Sequence, residues 1–108
     1  MLESILGNRV IEKILFYLFV YGDGYPRQLS DVFGISLNGI QQQLERLENG
    51  SVVISRFRGK VRIYSFNPGY PLLKELKQLL EKAVSLLPQE EMKKYYQKRT
   101  RPRRRGKP

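Results

Sequence analysis

Cysteine and histidine are both absent from the 108 residues of this chain. Their absence excludes disulfides, thiolate and imidazole metal sites, Cys/His nucleophile pairs and the usual near-neutral proton shuttle. Neither a metal nor a cofactor is expected. Long hydrophobic runs are missing too. The longest, Ile14–Tyr21 (ILFYLFVY), falls far short of the roughly 18 residues a spanning helix needs. The opening MLESILGNRV lacks the charged-then-apolar pattern of a signal peptide, so a cytoplasmic protein is expected. Acid is scarce: ten Asp and Glu stand against twenty Lys and Arg, a net charge of +10. Pairs such as Glu90-Glu91, or Asp23 with Asp31, have no nucleophile, ligand set or glycine-rich phosphate loop around them, and no catalytic residue is expected.

What is present is unevenly distributed. From Lys93 to Pro108 there are nine Lys/Arg and no acid, which leaves eleven bases and ten acids in residues 1–92, a net of +1. The chain therefore reads as a nearly neutral body carrying a cationic arm, and clustered like charge of this kind points to a polyanionic partner. Composition, 41% hydrophobic, suits one folded domain with a polar tail. Residues 1–88 read as that domain, 89–98 as a helical extension and 99–108 as a disordered basic tail.

Local signals place the elements. Asn8 caps a helix to about Tyr21, along which Val10, Ile11, Ile14, Leu15 and Leu18 recur at helical spacing. Gly22-Asp23-Gly24 is a break, Pro26 suits a first helical position, and Gly34 ends that short helix as a left-handed cap. Ser36 caps the next helix, with Ile40, Leu44 and Leu47 on one side and Gly50 closing it. Asn67-Pro68-Gly69 is a loop, Pro71–Leu87 is a long amphipathic helix, and Gln89–Gln97 continues helically.

Between these helices, Val53–Phe66 (VISRFRGKVRIYSF) reads as two strands around Gly59. Side chains alternate across a strand. If parity holds through a three-residue loop, Val53, Phe57, Val61 and Ile63 share one face and Arg56, Arg58, Lys60 and Arg62 the other. Arg56 then opposes Arg62, a like-charge pairing that destabilises the free hairpin. A bound phosphate backbone would relieve it.

The ordered set QLSDVFGISLNGIQQQLERLENGSVVISRFRGKVRIYSFNP resembles the winged helix-turn-helix DNA-binding family, in its ArsR-like and MarR-like branches. The matching residues are Leu29 and Phe33, the Gly34-Ile35-Ser36 turn, Ile40, Leu44 and Leu47, then Glu48 and Gly50 before Val52-Val53, with Gly59 at the tip. The likeness covers about residues 8–87. It implies an α+β fold, a three-helix core with a β-hairpin wing and a long C-terminal helix. It further implies a transcriptional regulator that binds double-stranded DNA and lies with the nucleoid. Ser30 stands where the family usually has Ala, and Gly39 where a hydroxyl residue often contacts phosphate. The metal-sensing ligands have no counterpart, so metal control is not carried over.

Helical geometry supports that reading. With Ile40, Leu44 and Leu47 inward, Asn38, Gln42, Glu45, Arg46 and Asn49 point outward and Gln41 flanks them. Asn and Gln offer paired donors and acceptors that match adenine, and Arg46 reaches guanine or phosphate. The expected DNA contacts are Ser36, Asn38, Gln41, Gln42 and Arg46 on this helix and Arg56, Arg58, Lys60 and Arg62 on the wing. Arg101, Arg103, Arg104, Arg105 and Lys107 supply the tail's contacts. A second leucine row, Leu72, Leu79 and Leu86, joins Phe16, Phe19 and Val20 as the expected homodimer interface, since such readers commonly bind two half-sites. Two other classes stay open: RNA or ribonucleoprotein binding through the tail, and a protein-interaction module docking an enzyme or polymerase.

Overall fold

A computed structural model describes residues 1–97. The chain begins with a single turn, α1 (Glu3–Leu6), ended by Gly7 in the left-handed region at φ 84°. Asn8 then accepts from the backbone N–H groups of Val10 and Ile11, at 2.8 and 3.1 Å, and starts α2 (Arg9–Tyr21). Capping of this kind satisfies donors that a helix start leaves free. After Gly22 the chain makes a two-residue strand, β1 (Asp23–Gly24), where a break was expected. Pro26 opens α3 (Pro26–Phe33) and Gly34 closes it, left-handed, at φ 65°. Ser36 caps α4 (Leu37–Asn49), whose inward residues Ile40, Leu44 and Leu47 are buried.

Gly50 closes α4 as expected, but not in the left-handed region. Gly50 has φ −84°, and the left-handed residue is Ser51, at φ 65°. Ser51 is held there by its neighbours. Its N–H donates to the Glu48 carbonyl at 3.0 Å, and its own carbonyl accepts from Asn67 Nδ2 at 2.9 Å. Strands β2 (Val53–Arg58) and β3 (Val61–Phe66) follow, then α5 (Leu73–Ser85), α6 (Gln89–Glu91) and a π-helical turn (Met92–Tyr96). The result is a small α+β body: six α-helices and one antiparallel sheet of order β1-β3-β2 among the described residues. No helix there is long and apolar enough to cross a membrane.

Helix α2 runs through the middle of the core. Ile11, Ile14, Leu15, Phe16, Tyr17 and Leu18 are all buried, against Leu29, Ile40, Leu44, Val53, Tyr64 and Leu80 from every other layer. Gly24 shows how closely β1 lies on this helix, because a Cβ there would meet Tyr17 Cε1 at 3.2 Å. One acid is buried within α2. Glu12 accepts from the Leu2 N–H at 3.3 Å and ion-pairs with the Met1 ammonium, which offsets its desolvation.

Phe16 corrects an expectation. It is 1% exposed, covered edge-on by Tyr96 at 5.6 Å between ring centroids. The chain's own C-terminal turn occupies the side of α2 that was assigned to a partner copy, so Phe16 leaves the interface set. The Tyr21 hydroxyl fixes that turn by donating to the Tyr95 carbonyl at 3.0 Å.

Tyr96 borders a cavity of about 350 Å³, shared with Glu12, Phe16 and Glu91. Among the described residues its hydroxyl has no hydrogen-bond partner, and burial, with Glu91 and Glu12 nearby, pushes its pKa well above the ordinary tyrosine value. An unpartnered buried hydroxyl costs about 1–3 kcal/mol. Tyr96→Phe keeps the ring contacts and is expected to stabilise the fold by about 1 kcal/mol in urea denaturation. A loss of stability would show that the hydroxyl is bonded in solution.

Candidate nucleic-acid interface

The turn between α3 and α4 is fastened by short polar contacts. Gly34 N–H donates to the Ser30 carbonyl at 2.9 Å, and Ser30 Oγ donates to the Ile35 carbonyl at 2.6 Å. Ser30 therefore has a local task that an alanine could not perform. Gly39 does too. Its N–H donates to the Ser36 capping oxygen at 3.0 Å, and a Cβ on Gly39 would stand 3.0 Å from that oxygen. The cap favours glycine, which accounts for the helix-weakening residue in the first turn of α4.

The outer face of α4 carries Asn38, Gln41, Gln42, Glu45, Arg46 and Asn49, all exposed, and Ser36 is exposed at its start. Gln43 turns partly inward, where its Oε1 has no hydrogen-bond partner among the described residues. The exposed row holds four amides, one cation and one acid. It offers directional hydrogen-bonding groups with little net charge, the chemistry suited to discriminating base edges rather than to attracting phosphate.

The hairpin departs from expectation at its turn. Arg58 pairs with Val61, so the loop has two residues, Gly59 and Lys60, with Gly59 at φ 65°. Glycine at the first of two loop positions is the demand of a II′-type turn. A loop shorter by one residue turns β3 over relative to β2, since side chains alternate with a period of two. Phe57 thus pairs with Arg62, and Arg56 with Ile63. The expected single face of four cations does not form, and Arg56 does not oppose Arg62.

Charges are managed differently on the two faces. Arg56 and Arg58 stand on one, and Asp23 from β1 lies between them, 3.8 Å from each guanidinium. These three side chains are substantially exposed, so the contacts stabilise little but do offset the repulsion. On the other face Arg62 Nε donates to Ser55 Oγ at 2.9 Å, and Ser55 Oγ donates to Glu48 Oε2 at 2.7 Å. That chain of bonds ties the end of α4 to the hairpin. The Arg62 guanidinium lies over the Phe57 ring, 5.3 Å from its centroid. Lys60 is exposed at the turn.

Asp23, Glu48, Ser55 and Phe57 were not among the residues the sequence singled out for the site. The signal for Asp23 was available only as an acid flanked by glycines, and for Phe57 as an aromatic at the centre of a basic run.

The other sites divide. Leu72, Leu79 and Leu86 are 58%, 39% and 60% exposed on or beside α5, whereas Leu80 and Ala83 face the core. Phe19 and Val20 are half-buried and pack against the core cluster. Arg101, Arg103, Arg104, Arg105 and Lys107 lie outside the described residues. Among the described residues no group of three or more acids could hold a metal ion. No protein-family model matches the chain, and no curated protein matches it at a significant level.

Proposed function

We propose that this chain is a winged-helix protein that binds duplex DNA as a dimeric transcriptional regulator. In that reading α4 enters the major groove, and the β2–β3 hairpin is the wing against the backbone or minor groove. The observation that carries it is the division of chemistry between adjoining elements. Helix α4 exposes amides, while the hairpin tethered to its end through Glu48 and Ser55 exposes four cations, two of them beside the Asp23 carboxylate. Base edges are read by the first kind of group and phosphates are held by the second. The exposed leucine row on α5 supports a second copy, which would present two reading helices to two half-sites.

Enrichment from a random duplex library gives the preferred site, and Gln42→Ala then tests the assignment. A bidentate amide–adenine contact is worth about 1–3 kcal/mol of discrimination. The variant should therefore lose roughly that much affinity on the preferred duplex and clearly less on a scrambled one. Equal losses on both would make Gln42 a backbone-positioning residue. Failure of any sequence to enrich would overturn the reading.

A further inference from the structure

Of the twelve aromatic side chains, all in the described part, Phe57 alone is exposed, at 66% of its surface. It belongs to the sheet face that also carries Val53, Tyr64 and Phe66, three residues buried in the core. The apolar row thus continues outward past the edge of the body and ends in a phenylalanine that is two-thirds exposed, with the Arg62 guanidinium over its ring. A cross-strand pair with arginine stabilises a hairpin modestly and does not require an aromatic. Two features set this pair apart. The guanidinium is oriented from below by Ser55 and Glu48, so its plane is held over the ring instead of swinging free. Arg62 over the ring and Lys60 at the adjoining turn also make its surroundings cationic, while Arg58 stands on the opposite face.

A rigid apolar ring set among cations fits a polyanion whose flat apolar faces lie just behind its charges. Nucleic acid has that construction. We propose that Phe57 is a stacking wedge: its ring enters a base step from the minor groove of duplex DNA, while Arg62 and the neighbouring cations hold the flanking phosphates. Apolar side chains inserted in this way unstack a step and kink the duplex. The inference rests on the duplex-binding reading above and adds to it a deformation of the DNA at one position. It also assigns the hairpin's two faces different tasks, Arg56 and Arg58 serving phosphates and Phe57 serving bases.

The test uses the full chain and the enriched duplex, with 2-aminopurine placed in turn at each step beside the bases covered by the protein. The wild type should raise the fluorescence of one probe, the signature of unstacking. Phe57→Ala should abolish that rise and weaken binding about ten-fold, as loss of a stacked base does. The slope of affinity against salt should stay unchanged, since no phosphate contact is lost. Phe57→Tyr should keep the signal, and unchanged far-ultraviolet circular dichroism should exclude misfolding. Tight duplex binding by the wild type with no fluorescent step, and equal affinity for Phe57→Ala, would overturn the wedge and leave the DNA reading standing. A wild type that binds no duplex would overturn that reading itself. A Phe57-dependent rise confined to single-stranded oligonucleotides would overturn the insertion into duplex.

Discussion

Leu79→Glu is expected to convert a dimer into folded monomers in sedimentation velocity. Leu72, Leu79 and Leu86 recur every seven residues and run about 20 Å along α5 at 1.5 Å per residue. All three are exposed, on the flank of the helix beside the buried Leu80 and Ala83. Covering what remains accessible on each yields about 1 kcal/mol, given about 1.5–3 kcal/mol for burying a whole leucine. A symmetric pair covers the row on both copies, six leucines or about 6 kcal/mol in all, which only narrowly exceeds the least association cost of about 4 kcal/mol. The half-buried Phe19 and Val20 would widen that margin in the proposed dimer. A carboxylate placed in so thin a margin costs several kcal/mol in desolvation, and the dissociation constant should rise at least about a hundred-fold. Because Leu79 is partly solvated in the single chain, helical content should survive. Loss of folding would assign the row to the protein's own core. A wild type that is monomeric at micromolar concentration and low salt would refute the dimer.

Deleting Thr100–Pro108 should produce the second large effect. The segment contains Arg101, Arg103, Arg104, Arg105 and Lys107 and no acid. Each phosphate contact contributes a slope of about −0.9 in log affinity against log salt, which is close to ten-fold per contact near about 0.1 M salt. Truncation should therefore weaken specific and random duplex by the same factor, about ten-fold for every contact made, and flatten the salt slope in proportion. The preferred sequence should not change, because attraction to phosphate carries no base information. A truncated protein without sequence preference would mean that the arm reads bases. Loss of RNA binding with duplex binding untouched would move the function to the ribonucleoprotein class.

The parts of this fold that were legible in the sequence are those fixed by local chemistry. Asn8, Pro26, Gly34 and Ser36 each satisfy or terminate a helix end within four residues, and each stands where the sequence placed it. The exposed amides of α4 followed from three leucine and isoleucine positions and a period of 3.6 residues. Features that depend on a second segment were not legible. Strand β1 is two residues long and shows no alternation, so its pairing with Ser65 and Tyr64 left no pattern to read. Burial of Phe16 by Tyr96 depends on a chain return over 80 residues. The hairpin's faces hung on a single loop residue, and one residue of loop length moves every side chain of a strand.

In the order β1-β3-β2, one margin of the sheet is only two residues long, but the other is β2, six residues with an open row of backbone donors and acceptors. It carries Ile54 and Phe57, with Val61 across from it on β3, all exposed. A strand of that length and composition is a template for pairing with another chain. Arg56 and Arg58 stand on it, only partly neutralised by Asp23, and two copies brought edge to edge would set these guanidiniums against each other. The charge proposed to draw in a polyanion would thus also keep the sheet from growing, and a hairpin stripped of its arginines is expected to become sticky as well as weakly binding.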